Sequence, residues 1–235
     1  MFGTFDTPLN INESGIFLSI ENKEKVQFYS RECLGEKIET HLITEKNKIL
    51  IHPVEPVNIP KKITQYFLIE FDKSIFIEPN GKNTIYVKFP IEIGVFTSGK
   101  KDIEIIDVFS IVPQKYSIYG DPRNGVLCRY YLSEVFYSIP QTDLLQEGVV
   151  ELNIINTTSK WVELTKAVFN AYGMKMYYDN NLVAMKANIR ILGEEIAETY
   201  FINASLQSGM KKAMELYTAK KIHVNITRFV MEWSL

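Results

Sequence analysis

The stretch YFLIEFDKSIFIEPNGKNTIYVKFP, residues 66–90, decides the fold class. Apolar side chains recur at every second residue through much of YFLIEF, KSIFIEP and NTIYVKF, the period of a strand with one buried face. Asp72-Lys73 reads as a tight reversal between the first two runs. Pro79-Asn80-Gly81 supplies residues that tolerate a left-handed turn before the third. Pro90 has no amide hydrogen to give a ladder, so it predicts an edge strand or a bend. The reading is a β-meander.

The same alternation extends outward. Upstream, IFLSI (16–20), KVQFYS (25–30), IETHLIT (38–44) and KILIH (48–52) read as short strands, with polar hairpin connections in ENKE and EKNK. HPVEPVNIPKK (52–62) carries three prolines and predicts a rigid connector rather than a central strand. DIEIIDVFSIVP (102–113) puts Asp102 and Glu104 on one face and Asp107 on the other unless a bulge intervenes. Periodicity lapses in PQTDLLQEG (140–148), the best domain boundary, and then resumes in VVELNIIN, WVELTKAVF, MKMYYD, NLVAMKANIRIL and EEIAETYFIN. Asp179-Asn180-Asn181 is a second hairpin signal.

One segment departs from the pattern. SLQSGMKKAMELYTAKK (205–221) places Leu206, Met210, Ala213, Met214 and Tyr217 at helical spacing, with Ser205 or Ser208 able to cap. The chain ends in an alternating run, HVNITRFVMEWSL, whose Trp233 needs a packing site. The expected fold is mainly β: two packed antiparallel β-sandwich-like units, residues 1–141 and 142–235, with one C-terminal helix near 206–217.

Composition narrows the function classes. At 235 residues with 46% hydrophobic and 23% charged side chains, the chain can bury a full core without disulfides. Twenty-six basic against 28 acidic residues leave a net charge of -2, so no global field draws it to nucleic acid or an anionic membrane. RYY (129–131) and MKMYYDNN (174–181) set aromatics beside bases, but the bases are dispersed and give no strong nucleic-acid signal. There is no basic start with an apolar run behind it and no transmembrane stretch, which predicts a cytoplasmic protein. Cys33 and Cys128 read as buried free thiols.

Motifs for chemistry are scarce. His41, His52 and His223 lack metal-ligand spacing, and no metal or cofactor is expected. No G-x-S-x-G elbow, G-x-x-x-x-G-K-S/T loop or G-x-G-x-x-G appears. The best local candidate is GDPRNG (120–125), where Asp121-Pro122 begins a turn and Gly125 can take positive φ. That accounts for every residue except Arg123. Arg129 and Tyr131 follow on one strand face, where they can meet a carboxylate or phosphate. The candidate ligand- or partner-binding residues are therefore Asp121, Arg123, Arg129 and Tyr131.

Together, MFGTFDTPL (1–9), GDPRNGVLCRY (120–130), INTTSKWVELTKAVF (155–169) and RFVMEWSL (228–235) resemble an archaeal family known as domain of unknown function 432. The resemblance covers nearly the whole chain and implies an archaeal, cytoplasmic origin. It carries over no activity, cofactor or catalytic residue. The leading expectation is a noncatalytic β-sandwich module that binds a protein partner or self-associates. The alternative is a hydrolase or small-ligand binder for a carbohydrate or phosphorylated substrate, built on Arg129 and carboxylates that the fold assembles.

Overall fold

The computed structural model describes residues 1–23, 26–43, 48–60, 63–98, 103–219 and 227–235. The chain opens with β1 (Gly3–Phe5), β2 (Leu9–Glu13), β3 (Ile16–Lys23), β4 (Val26–Cys33), β5 (Glu36–Ile43) and β6 (Lys48–Val54). Strands β2 to β5 form an antiparallel meander. Its turns at Ser14-Gly15 and Leu34-Gly35 have φ of 51° then 79° in each pair. That mirror-image geometry matches the twist of the flanking strands.

Next come β7 (Tyr66–Ile77), β8 (Lys82–Pro90), β9 (Glu92–Ser98) and β10 (Ile103–Phe109). A second sheet takes the order β1-β6-β9-β10. The first two sheets share an apolar cluster in which Ile16, Leu18 and Ile20 of β3 meet Ile51 of β6 and Ile93 and Val95 of β9. The remaining strands are β11 (Lys115–Tyr119), β12 (Val126–Ser133), β13 (Glu147–Asn156), β14 (Val162–Asn170), β15 (Tyr177–Tyr178), β16 (Val183–Ile191), β17 (Ala197–Ile202), β18 (Lys211–Lys212) and β19 (Phe229–Met231). A third sheet runs β11-β12-β7-β14, and a fourth runs β18-β15-β16-β13-β8 with β17 beside β16 and β19 beside β17. Phe67, Ile69 and Phe169 of the third sheet pack in one cluster with Val87, Leu152 and Ile189 of the fourth. Each such side chain contributes about 1.5–3 kcal/mol by leaving water.

The architecture is mainly β, as the alternation predicts, and Asn80 has the expected left-handed φ of 55°. Pro90 also fits: it ends β8, which lies at the border of its sheet. Several expectations need correction. Asp72-Lys73 does not reverse the chain, because β7 is one strand and residues 71–74 bulge against Thr165 alone in β14. Pro53 lies in β6, an inner strand, but β1 pairs β6 only up to Ile51, so Pro53 is locally at an edge. The strands that flank EKNK, β5 and β6, belong to different sheets, and residues 44–47 lie outside the described set. Two pairs, β12·β7 and β13·β16, are parallel. Ladders β8·β13 and β7·β14 join strands from either side of position 141.

The helix over 206–217 is absent. Its apolar residues follow an irregular path instead and serve different surfaces: Leu206 and Met210 pack with Val149 and Ala184 of the fourth sheet, whereas Met214 and Leu216 pack with Val54 and Phe96 of the second. Burial on two separate faces outweighs helical propensity. Gly209, with φ of +88°, interrupts the segment, and a single α-helical turn, α1, survives at Leu216–Ala219.

One buried polar link joins the first two sheets. A bulge between Ile105 and Asp107 in β10 sets Asp107 opposite Val95, on the inner face. There Asp107 accepts hydrogen bonds from Arg31 Nε at 2.6 Å and from the Tyr29 hydroxyl at 2.7 Å. Arg31 also lies over the Phe109 ring at 4.6 Å. Replacing Asp107 by Ala leaves the buried guanidinium with only the exposed Glu36, 3.3 Å from Arg31 Nη2, as a carboxylate partner and is expected to lower stability by about 3 kcal/mol in urea titration. The double variant Arg31→Met/Asp107→Leu is expected to recover most of that loss.

Candidate functional site

The loop 120–125 is a side-chain-capped turn. Asp121 Oδ1 accepts the backbone N–H of Arg123 at 2.7 Å and of Asn124 at 3.3 Å, and the Asp121 carbonyl accepts the Gly125 N–H at 2.7 Å. Arg123 itself is exposed. Gly120, at φ of +99°, makes the seat for the C-terminal indole: a Cβ there would sit 2.7 Å from Trp233 Cδ2. The Trp233 backbone N–H donates to the Tyr119 hydroxyl oxygen at 3.2 Å, and that hydroxyl donates to the Ser234 carbonyl at 3.0 Å. This is the packing site that the sequence demands for Trp233. Beside it opens a cleft of about 370 Å³ lined by Glu70, Asp121, Lys166 and Trp233.

Arg129 lies elsewhere. Its side chain is 1% exposed and donates to the carbonyls of Lys115 at 3.2 Å and Pro113 at 3.4 Å. The guanidinium lies 5.6 Å from the Tyr116 ring centroid, and the Tyr116 hydroxyl donates to the Ile59 carbonyl at 2.7 Å. Burial lowers the pKa of Arg129, while the neighbouring Glu92 and Tyr116 oppose that fall. Tyr131, on the same face two residues along, instead donates to Glu147, which pairs with Lys88 at 3.0 Å. Burial and that carboxylate both raise the Tyr131 pKa. The four candidate residues therefore occupy three places: Asp121 and Arg123 in the turn, Arg129 in the interior, and Tyr131 against Glu147.

Sequence reasoning missed the carboxylates at the interior site. Glu92 stands between Ile91, in the core of the third and fourth sheets, and Ile93, in the core of the first and second. Glu55 stands similarly between Val54 and Val57. Glu92 Oε2 accepts the Asn58 N–H at 3.0 Å, and both oxygens of Glu55 accept the Leu216 N–H at 3.2 Å. Glu92 Oε1 and Arg129 Nε, both buried, have no hydrogen-bond partner among the described residues. Burial pushes the Glu92 carboxyl up to about 8 and Glu55 up to about 7, against the pull of those amides. The only signal in the sequence was an acid breaking an apolar run, PIEIGVF, which period-two alternation reads as a solvated face.

His52 and Glu215 bind the segment 211–217 to this region. His52 Nδ1 accepts the Met214 N–H at 3.0 Å, and His52 Nε2 lies 3.1 Å from the Tyr178 hydroxyl. Burial, aided by Lys211, holds His52 down to about 4. Glu215 contacts Lys175 at 2.8 Å and Lys212 at 3.0 Å. Burial raises its pKa, but the bonds from Lys175, Tyr217 and Lys212 outweigh that and hold it near 2. His223 lies outside the described residues. Among the described residues no three His, Cys, Asp or Glu side chains gather in a metal-holding group. Nor, among them, is any helix long and apolar enough to cross a membrane.

Residues 1–232 match the family described as Protein of unknown function (DUF432). The chain belongs to that family. No curated protein and no solved structure matches it. The match spans the turn, the interior site and Trp233's neighbours on β19, so every part of the geometry above except the last residues falls within DUF432.

The buried carboxyls fix a pH dependence. In the folded chain they keep protons that the unfolded chain releases near 4.5, so their stabilisation is full below about 4.5, is lost progressively as pH rises above that, and is gone once pH passes about 7 for Glu55 and about 8 for Glu92. His52 acts oppositely, but only below its ordinary value of 6.5. Urea midpoints are therefore expected to fall from about pH 6.5 to about pH 8 and then level off, and Glu92→Gln, which cannot ionise, is expected to shrink that fall.

Proposed function

We propose that this DUF432 chain is a noncatalytic β-sandwich module that assembles with a second copy of itself through the free edge of β11. In this reading the first and second sheets form one sandwich-like unit and the third and fourth form another. The observation that carries it is the edge itself. Among the described residues β11 pairs only with β12. Ile118 on that edge is 50% exposed, its partner Leu127 is 40% exposed, and Ile63 nearby is 48% exposed. Thr64 ties the Ile63 segment to this place by donating to the Leu127 carbonyl at 2.5 Å.

Two copies of β11 can pair antiparallel about Ser117. Lys115 then faces Tyr119 and Tyr116 faces Ile118, so no like charges meet across the dyad. An unpaired edge with apolar neighbours is the surface that strand addition uses. Burial of Arg129, with two of its nitrogens on backbone carbonyls, weighs against the alternative hydrolase or phosphate-binding role centred on that residue. An archaeal, cytoplasmic setting belongs to the same reading and is supported by the sequence resemblance. Sedimentation velocity at about 100 μM is expected to give a dimer, and Ile118→Lys or Ser117→Pro a monomer with an unchanged circular dichroism spectrum. A monomeric parent chain, or a dimer that survives both substitutions, would refute the assembly role.

A further inference from the structure

From the cleft beside Trp233, we infer that the protein has a binding site for a neutral carbohydrate, formed by Trp233, Glu70, Lys166 and Asp121. Ser117, Ile118 and Tyr119 of β11 also line the cleft, so the site adjoins the β11 edge, but the four residues that form it come from one chain and binding there does not require self-association. Its volume of about 370 Å³ falls within the range of small-molecule sites.

Each part supplies one requirement of a sugar ring. A pyranose has an apolar C–H face and a rim of hydroxyls that both donate and accept. Trp233 gives the apolar platform: its side chain is 38% exposed, while Gly120 and Tyr119 hold the rest. The platform is preorganised, because the tail is fixed on both sides by the Tyr119 hydroxyl and again at Leu235, whose carbonyl accepts from Thr165 at 2.5 Å. Preorganisation lowers the ordering cost of binding.

Acceptors and donors lie together on the opposite wall. Lys166 stands directly across from Glu70 in the β7·β14 ladder, so an ammonium and a carboxylate share one face. Glu70 is held by the Tyr130 phenol. Asp121 is fixed by the turn, its Oδ1 accepting two backbone amides and its Oδ2 the Asn124 side-chain amide at 3.3 Å, and a carboxylate oxygen has a second lone pair for a ligand hydroxyl. Two carboxylates against one ammonium disfavour phosphate or another anion, and the ammonium disfavours a cation. An uncharged polyhydroxyl ligand satisfies all three groups.

Trp161 and Trp233 are the two tryptophans, so Trp161→Phe isolates the emission of Trp233. Maltohexaose, cellohexaose and mannohexaose, each titrated to about 10 mM, are the probes, with inorganic phosphate and spermidine as charged controls. At least one hexasaccharide is expected to shift the Trp233 emission saturably, with neither control doing so. Binding measured by ligand-observed NMR is expected to weaken at least about tenfold in Trp233→Ala and in Lys166→Ala. Lys166→Ala removes no core side chain, so it keeps the test valid if the Trp233 variant misfolds. No response to any of the three sugars, or a response to phosphate or spermidine instead, would overturn the inference. Sedimentation of the same samples reads the assembly state independently.

Discussion

The whole structure depends on the chain passing between two apolar cores without a solvated loop. Ile91 is packed in one core and Ile93 in the other, with only Glu92 between them. A second passage runs through Val54, Glu55 and Val57, and a third leaves Phe109 for β11. Backbone groups at such a joint lie away from water and need partners. Glu92 meets one need by accepting the Asn58 amide from the second passage. Arg129 meets another by donating to the carbonyls of Pro113 and Lys115 on the third. Ser110 adds to it, donating to the Ile91 carbonyl at 3.1 Å. These polar groups hold three crossings in register, and their buried location is what raises the carboxyl pKa values.

The segment 206–217 then closes the joint from outside. Leu206 and Met210 cover one sheet and Met214 and Leu216 cover another, so the segment spans surfaces from both halves. Its backbone amides at Met214 and Leu216 are taken by His52 and Glu55, side chains from the first half of the chain. A helix would present one stripe to one surface. The irregular path reaches two surfaces and places the Met214 and Leu216 amides on side-chain acceptors, which explains why helical spacing misleads here.

Function is distributed in the same way. The polar residues with the strongest chemistry, Glu55, Glu92 and Arg129, lie inside the joint and hold architecture. The exposed features are simpler: an apolar strand edge around Ile118 and the adjoining cleft beside Trp233. Gly120 connects the interior of the protein to that cleft, because its missing side chain lets the indole settle against the turn.

The sequence by itself determined the class of the fold and most of its strands. Period-two alternation identifies a strand locally, so β3, β4, β13, β14 and β16 were legible without knowledge of their partners. The turn at Asp121 and the free buried cysteines were legible for the same reason, since each depends on near neighbours in sequence. Only the tertiary structure decided which strands share a sheet, that Asp72-Lys73 bulges rather than turns, and that Arg129 and Glu92 are buried near enough to influence each other's charge. Alternation states that one face is buried but not what buries it. Residues 92 and 129, or 55 and 216, come together only through contacts made far along the chain, and no local pattern encodes them.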